Sequence, residues 1–296
     1  MPLLSTLAFI ANHPLSRGRK VRALADYFKW QIGCRLVPGQ VVYDWINGSR
    51  IIVRRGETGV TGNLYCSLHD FADMAYLLHT LSPEDLFVDV GANVGSYTVL
   101  ACAAKRAKGI CFEPVPSTFE RLMDNIRINN LCDRVIAKNI GLSDREGDLV
   151  FTAGEDTTNH IVAGDELASN VVRVKVMPLD VILGGATPSL LKIDVEGYEM
   201  AVLEGARQTL ENLRLRSIIM ELNGSGRRYG FKDDEIGAYM ENLGFSTFRY
   251  EPFSRELISI ACHDCVSGNT LFIRDAHEMQ ARLKQSPKIL AGDIWL

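Results

Sequence analysis

The sequence predicts an α/β fold in which helices cover both faces of a mostly parallel β-sheet. From Leu86 onward, short β-prone runs alternate with stretches of helical length, as in LFVDVG, SYTVLACAAKRA and GICFEP. Strands that alternate with such helices form crossover units, whose strands run parallel. Further strands are predicted in RVIAKNIGL, PSLLKIDV, RSIIMEL, FSTFRY and NTLFIRD. One doubly wound domain at about residues 84–275 therefore accounts for most of the chain.

Two flanking segments complete the predicted organisation: an N-terminal extension, residues 1–83, and a C-terminal helix and tail, residues 276–296. In the extension, Asn47-Gly48 separates two β-prone runs, which is a strong signal for a β-hairpin. A parallel sheet of this kind offers a ligand crevice at the carboxyl ends of its strands. We therefore interpret the extension as a lid over that crevice that helps to select the substrate.

A helix is predicted within the segment SRGRKVRALADYFKWQIG of the extension. Apolar residues recur there at helical spacing on one face, namely Val21, Leu24, Ala25, Phe28 and Ile32. The first turn is basic, which is the unfavourable sign for the dipole at a helix N-terminus. We expect this helix to dock through its apolar face and to leave the basic end in solvent. An anionic partner or a membrane surface is the alternative.

The composition excludes several classes of protein. A net charge of −4 and a pI near 5.9 argue against a nucleic-acid binder. No apolar run approaches the roughly 18–20 residues that span a bilayer, and at the N-terminus the apolar part precedes the basic part, the reverse of a signal peptide. The seven cysteines predict free thiols in a reducing, cytoplasmic setting. Cys262 and Cys265 have CxxC spacing, but without a second pair we expect no metal there. The sequence leaves the oligomeric state open, including a homo-oligomer.

The stretch FVDVGANVGSYTV carries the first ligand motif. Asp89 ends a predicted strand, and the loop after it is flanked by Gly91 and Gly95. Glycines let the backbone approach a ligand, and the N–H groups of the helix predicted from Ser96 attract an anion. Glu113 ends the next strand, where a carboxylate can accept both ribose hydroxyls of a nucleotide cofactor. We expect a side chain at Gly91 to fill space that this cofactor occupies.

The loop also indicates which nucleotide binds. Asn93 stands where a dinucleotide fingerprint has its second glycine, and Asp89 would repel a pyrophosphate but suit a cation. S-adenosylmethionine fits better, with its ammonium near Asp89. The predicted cofactor-binding residues are Asp89, Gly91, Asn93, Gly95, Ser96, Tyr97 and Glu113, together with Leu142 and Ser143 beside the adenine ring.

The second motif is SLLKIDVEGYE, which places Lys192, Asp194 and Glu196 at every second position toward the end of a predicted buried strand. Unpaired buried charges are costly, so a catalytic role at the ligand crevice explains them better than a structural ion pair. We expect Asp194 to orient cofactor and acceptor. Lys192, through a lowered pKa, or Glu196 would take the acceptor's proton, and Glu221 on the neighbouring strand would hold Lys192. A metal site at Asp194 and Glu196 is the weaker variant.

Together these motifs resemble the FkbM family of S-adenosylmethionine-dependent methyltransferases. The resemblance runs from about Leu86 to Arg274 and rests on FVDVGANVGSYTVLA, FEPVPSTFERLMDNIRINNL, NIGLSDREG, PLDVIL, LLKIDVEGYEMAVLEGA and IIMELN. It implies a Rossmann-like sheet of seven strands, mostly parallel, with a C-terminal antiparallel hairpin. It also implies O-methylation of a hydroxyl on a natural product, sugar or glycan. A nicotinamide-dependent oxidoreductase and a non-catalytic cofactor-binding protein are the alternatives.

Overall fold

A central eight-stranded sheet organises the protein. The structure is a computed structural model, and it describes residues 3–37, 39–154, 159–162, 170–261 and 268–296. The N-terminal segment forms α1 (Leu3–Asn12), α2 (Lys20–Leu36), β1 (Gln40–Asp44), β2 (Arg50–Arg54), α3 (Thr58–Cys66) and α4 (Phe71–Thr80).

The later elements follow the predicted alternation of strands and helices. They are β3 (Leu86–Val90), α5 (Ser96–Val99), β4 (Lys108–Phe112), α6 (Pro116–Ile128), β5 (Val135–Lys138), β6 (Gly141–Leu142), β7 (Gly147–Thr152), β8 (Val171–Met177), α7 (Leu179–Leu183), β9 (Leu190–Ile193), α8 (Glu199–Glu204), α9 (Arg207–Glu211), β10 (Ser217–Glu221), α10 (Asp233–Asn242), β11 (Ser246–Glu251), β12 (Glu256–Ser259), β13 (Asn269–Ile273), α11 (Ala276–Gln285), β14 (Leu290–Ala291) and β15 (Ile294–Trp295).

The strand order in the central sheet is β12-β11-β13-β10-β9-β3-β4-β5. The strands β5, β4, β3, β9 and β10 run parallel, and β13 lies antiparallel between β10 and β11. This confirms the predicted parallel sheet with its C-terminal antiparallel pair. The number of strands is eight rather than seven, because a tight turn after Glu251 returns the chain as β12 along the outer edge of β11.

Smaller sheets flank the central one. The predicted hairpin is present: β1 and β2 pair antiparallel, and Asn47 and Gly48 have the positive φ angles, 51° and 79°, that a tight reversal needs. The single strand expected in RVIAKNIGL is divided. Its first half is β5 of the central sheet, and its end, β6, joins a separate three-stranded sheet with β8 and β7.

Apolar side chains cover both faces of the central sheet. Successive strand residues point to opposite faces, so Phe87 and Val88 of β3 lie in two different core clusters. The Phe87 cluster includes Leu77 and Leu78 of α4, a helix that is buried continuously from Met74 to Thr80. Burial of this apolar area is the main stabilising contribution to such a fold. Part of the N-terminal extension therefore packs into the core of the sheet.

A single amide side chain also connects the extension to the loop that follows β3. Asn125 of α6 accepts a hydrogen bond from the Ile52 amide of β2 through Oδ1, at 2.8 Å. Its Nδ2 donates to the Val94 carbonyl, also at 2.8 Å. Asn125 is 1% exposed, so both bonds are shielded from water.

The helix α2 docks through the face opposite to the predicted one. Val21, Phe28 and Ile32 are 83%, 48% and 58% exposed. The buried residues of α2 are Ala23, Tyr27, Trp30 and Cys34. The prediction of the docked face is wrong because α2 has two apolar faces, and the aromatic one packs inward, with the Tyr27 ring 5.2 Å from that of Tyr65.

Within the described ranges, no helix combines the length and apolar character needed to cross a bilayer. The structure describes five of the seven cysteines, and all five carry free thiols, in agreement with the prediction: Cys34, Cys66, Cys102, Cys111 and Cys132. The remaining pair, Cys262 and Cys265, lies outside the described residues.

Candidate active site

The glycine-containing loop lies between β3 and α5. Gly91 and Gly95 have φ angles of 76° and 91°, in the left-handed region that favours glycine. A Cβ atom at Gly91 would lie 1.8 Å from the backbone oxygen of Asp194. The structure thus gives a reason for glycine at this position that the sequence did not predict, namely the close approach of the chain that follows β9. Gly91 also lines the cleft, so the expectation that a side chain there would occupy cofactor space stays a prediction. The glycine lets these two strand ends lie side by side.

Asp89 lies in β3, just before this loop, and is 1% exposed. Its Oδ2 accepts a 2.6 Å hydrogen bond from the Thr98 hydroxyl, whereas Oδ1 is buried without a hydrogen-bond partner among the described residues. Burial raises the pKa of Asp89, and the Lys192 ammonium opposes that effect. An unsatisfied buried carboxylate oxygen fits a cationic ligand group such as the ammonium of S-adenosylmethionine. Asp89 is not among the described residues that line the cleft, so this contact stays a prediction.

Glu113 follows β4 and faces the same loop. Its two oxygens accept hydrogen bonds from the amides of Asn93 and Val115, each at 3.0 Å. Burial raises the pKa of Glu113 to about 7. A carboxylate can accept several hydrogen bonds, so Glu113 fits the ribose hydroxyls of a nucleoside as well. With Asn93, it lines a cleft that also includes Ser96 and Tyr97.

Leu142 ends β6, and Ser143 follows it. The Leu142 side chain packs in the hydrophobic core. The Ser143 hydroxyl donates a hydrogen bond to the Asp144 carboxylate at 2.9 Å. In the cleft as the described residues form it, neither side chain is part of the lining. Their contact with an adenine ring stays a prediction.

Lys192 and Asp194 form an ion pair at the end of β9, with 2.8 Å between Nζ and Oδ2. Lys192 is 4% exposed, and its Nζ lies 4.7 Å from the centre of the Tyr97 ring. Burial alone would lower the pKa of Lys192, but the carboxylates of Asp194 and Asp89 outweigh burial and raise it. A lysine acting as a base needs a lowered pKa, so the expectation that Lys192 takes a proton is wrong.

Glu196 and Glu221 complete a cluster of acids around Asp194. One carboxylate oxygen from each of the three residues lies within 4.8 Å of the other two. Burial, followed by the Asp194 charge, raises the pKa of Glu196 to about 7. Burial and the charges of Asp194 and Glu196 raise the pKa of Glu221 to about 8. In this part of the structure Lys192 pairs with Asp194 rather than with Glu221, contrary to the expected role of Glu221.

Glu199, which no motif in the sequence predicted, fixes the loop that carries Glu196. Glu199 is 3% exposed, and its Oε1 accepts hydrogen bonds from the amides of Gly197, at 3.0 Å, and Val195, at 3.4 Å. Burial raises the pKa of Glu199 to about 7. An acid in the first turn of a helix, directly after a glycine turn, was the signal that could have identified it.

The opposite wall of the cleft comes from the extension, and its residues were not predicted from the sequence. They are Gly59 and Val60 of α3, His69 and Asp70 before α4, and Met74 of α4. The Tyr97 hydroxyl donates to Asp70 at 3.1 Å, which joins this wall to the cofactor loop. No short motif marks Asp70, because only the packing of α4 against the sheet brings it to the cleft that Asp194 also lines. Whether the extension acts as a lid that selects the acceptor stays a prediction.

A mostly parallel sheet, with a glycine-containing loop after its first strand and a carboxylate after the second, defines a Rossmann-like nucleotide-cofactor enzyme. A family model described as the methyltransferase FkbM domain matches residues 89–247, more than half of the chain. The chain belongs to the FkbM methyltransferase family. This membership implies a cofactor of the S-adenosylmethionine type.

Several curated proteins are similar to this chain. Hexuronic acid methyltransferase AglP of Haloferax volcanii is 30% identical over 160 residues, which are 50% of this chain and 59% of AglP. The methyltransferase sdnD of Sordaria araneosa is 28% identical over 214 residues, 60% of this chain and 80% of sdnD. The 31-O-demethyl-FK506 methyltransferase FkbM of Streptomyces tacrolimicus is 28% identical over 216 residues, 60% of this chain and 79% of that protein. The chain thus spans less than two thirds of AglP.

Among solved structures, one match is to methyltransferase FkbM from Methylobacillus flagellatus KT. Its TM-score is 0.45 at 17% sequence identity, and the match covers 65% of this chain and 44% of that one.

Proposed function

We propose that the protein is an S-adenosylmethionine-dependent O-methyltransferase acting on a hydroxyl of a sugar, glycan or natural product. The observation that carries this proposal is the position of Glu196. It lies beside Asp194 at the end of β9, next to the cofactor loop, with a pKa raised to about 7. A general base works best when its pKa lies near the working pH.

The residues divide the work between binding and proton transfer. Asp89, Glu113 and the glycine-containing loop hold the cofactor, which supplies an electrophilic methyl group when it is bound. Lys192 stays charged and holds Asp194, and Asp194 orients the acceptor hydroxyl. Placement of two reacting groups in line is worth about 7 kcal/mol or more.

Glu196 accepts the proton of the acceptor hydroxyl as the hydroxyl oxygen bonds to the methyl carbon. The bound cofactor would supply the methyl group and would keep the electron pair of its carbon–sulfur bond on sulfur. The proton of the hydroxyl would then neutralise the Glu196 carboxylate, which balances the charge lost at sulfur. Glu221, whose pKa is about 8, lies close enough to Glu196 to exchange this proton with it. The result is a methyl ether and a protonated carboxyl that returns its proton to water.

The acceptor class rests on the relatives. AglP is named for a hexuronic acid, and the Streptomyces protein is named for the 31-O position of FK506. Both names are those of methyltransferases with oxygen-rich acceptors, and the Streptomyces name specifies an oxygen position. These names support a hydroxyl as the acceptor group. The match to a methyltransferase family model argues against the alternative function, a nicotinamide-dependent oxidoreductase.

A methyl-transfer screen tests the proposal. The purified chain is incubated with methyl-labelled S-adenosylmethionine and three acceptor sets: uronic-acid-terminated oligosaccharides, neutral oligosaccharides and hydroxylated macrocycles. Calorimetry with S-adenosylhomocysteine and with NAD provides the control for the cofactor. Binding of NAD alone would contradict the proposal, as would label transfer to nitrogen or carbon instead of oxygen.

The acid cluster raises the question of a metal. Asp194, Glu196 and Glu221 are close enough to ligate one cation, but protons shared by two acids with raised pKa values also relieve their repulsion. We expect activity without an added metal. Turnover in EDTA tests this, and loss of activity that Mg²⁺ or Mn²⁺ restores would assign the cluster to a cation.

A further inference from the structure

The outward face of α2 carries an apolar stripe, defined by Val21, Phe28, Ile32 and Leu36. All four side chains are exposed, Leu36 to 76%. From this stripe and its charged borders, we propose that α2 is a docking surface for an anionic lipid bilayer. The helix would lie parallel to the membrane plane, with its aromatic face kept in the protein core.

The geometry of α2 separates its two faces cleanly. A helix advances about 100° per residue, so the stripe residues, spaced seven or four apart, fall on one side. The buried residues Ala23, Tyr27, Trp30 and Cys34 fall on the other side. The helix already packs against the protein through a complete buried face. The exposure of the stripe is therefore not the result of incomplete packing of α2. Exposed apolar residues in a continuous row indicate an interaction surface.

Cations border the stripe on both sides. By the same helical geometry, Arg22 and Lys29 lie along one edge, and Lys20 and Arg35 lie along the other. Long basic side chains at these positions can extend to lipid headgroups while the apolar residues enter the acyl boundary. This is the arrangement of an amphipathic helix in a membrane interface.

The local charge strengthens the case for an anionic surface. The segment from α1 to α2, residues 3–36, contains six basic residues and one acidic residue, whereas the whole chain has a net charge of −4. Asp26 lies 3.6 Å from Lys29 and Asp293 lies 3.0 Å from Arg22, which still leaves an excess of cations. Clusters of Lys and Arg on an amphipathic helix are attracted to anionic lipids.

A second copy of the chain fits this face less well. Two copies joined through α2 would bring two cationic borders together, which is electrostatically unfavourable. The four stripe residues also fall short of the roughly 20–30 residues per side of a stable protein interface. A bilayer needs neither a matched shape nor a large area. α1 adds to the apolar surface, since Leu3 and Leu4 are exposed as well.

Co-sedimentation with vesicles tests the proposal. The full chain is mixed with vesicles of phosphatidylcholine and phosphatidylserine, and separately with vesicles of phosphatidylcholine alone. We expect it to pellet with the anionic vesicles and to be released by salt. The variant Val21→Ser/Phe28→Ser/Ile32→Ser should bind about tenfold more weakly or worse, because binding scales with the apolar area that enters the lipid. All three positions are exposed, so the fold should tolerate them.

Matched controls distinguish this face from the rest of the surface. Ile136→Ser/Val181→Ser/Leu213→Ser removes three apolar side chains that are similarly exposed elsewhere, and should bind as the unchanged chain does. Lys20→Glu/Lys29→Glu should lose binding to anionic vesicles, whereas Arg145→Glu/Arg214→Glu should keep it. Affinity for S-adenosylhomocysteine, equal in all variants, reports that each one is folded.

Three outcomes would overturn the proposal. The chain could stay in the supernatant with anionic vesicles, or the stripe variant could bind as tightly as the unchanged chain. Sedimentation velocity could also show a dimer that the stripe substitutions dissociate, with no vesicle binding. That last result would assign the face to contact between two copies.

Discussion

The ammonium of Lys192 lies 2.8 Å from the Asp194 carboxylate at the point where β9 ends. Lys192 is buried, whereas the Asp194 side chain keeps 33% of its surface exposed. The pair therefore connects a fixed positive charge in the sheet to a carboxylate at the cleft. A buried charge of this kind requires its partner, which constrains where Asp194 can point.

Asp194→Asn should lower the methyl-transfer rate by about 10²-fold or more, because a misplacement of the acceptor by about 1 Å can cost that much. The amide keeps the shape of the side chain, and Asp89 remains near Lys192, so the fold and most of the cofactor affinity should persist. Turnover and S-adenosylhomocysteine binding are measured together. Asp234→Asn, on the exposed side of α10, is the control and should behave as the unchanged enzyme. Normal turnover in Asp194→Asn would make the pair structural.

The rate should depend on pH through Glu196. A base must be deprotonated, so kcat/KM should rise with pH and level off above about 7, the pKa of Glu196. Glu221 is close enough to titrate with it, so the apparent value belongs to the pair. Glu196→Gln should lose most of the rate and also this rise. A variant that keeps the same pH profile would show that another group accepts the proton.

Glu113→Ala should weaken S-adenosylhomocysteine binding by about 1.5–3 kcal/mol, the range for hydrogen bonds to a charged group. Glu113→Gln should lose less, because its amide oxygen can still accept from the Asn93 amide. Calorimetry gives both values. Glu120→Ala, exposed on α6, serves as the matched control. Equal affinity in all three proteins would place the ribose elsewhere.

Gly91→Ala should destabilise the fold far more than Gly224→Ala. Both glycines have similar positive φ angles, 76° and 80°, so both variants carry backbone strain of about 1–2 kcal/mol. Only at Gly91 does the new methyl group meet a neighbour, the Asp194 oxygen, whereas the site at Gly224 is open. Denaturant unfolding should show a loss above about 4 kcal/mol for Gly91→Ala. Similar losses in the two variants would mean that strain alone is at work.

The parts of the site that the sequence could predict are local. Asp89, Gly91 and Gly95 stand within one strand–turn–helix segment, whose geometry follows from residue type. Lys192 and Asp194 stand out because charges at the end of an apolar strand need an explanation. Their positions were therefore predictable, and the strand β9 ends at Ile193, just before Asp194, as the pattern suggests.

The predictions that were wrong concern features that depend on tertiary packing. The direction of the Lys192 pKa shift depends on the balance between burial and two carboxylates, one of them on another strand. The docked face of α2 could not be chosen, because both of its faces satisfy the helical period and the partner, Tyr65, lies on another helix. Asp70 reaches the cleft only through the position of α4.

The two hydrogen bonds of Asn125 have a consequence for exchanging parts between relatives. The family model begins at residue 89, so the segment before it looks like a module that could be replaced to change acceptor specificity. Asn125 belongs to the matched region, yet its side chain completes the backbone pairing of Ile52 outside that region. A chimera joined at residue 84 would take Ile52 from one parent and the residue at position 125 from the other, so this hydrogen bond could be lost. Recombination of these enzymes would have to transplant α6 together with the N-terminal segment.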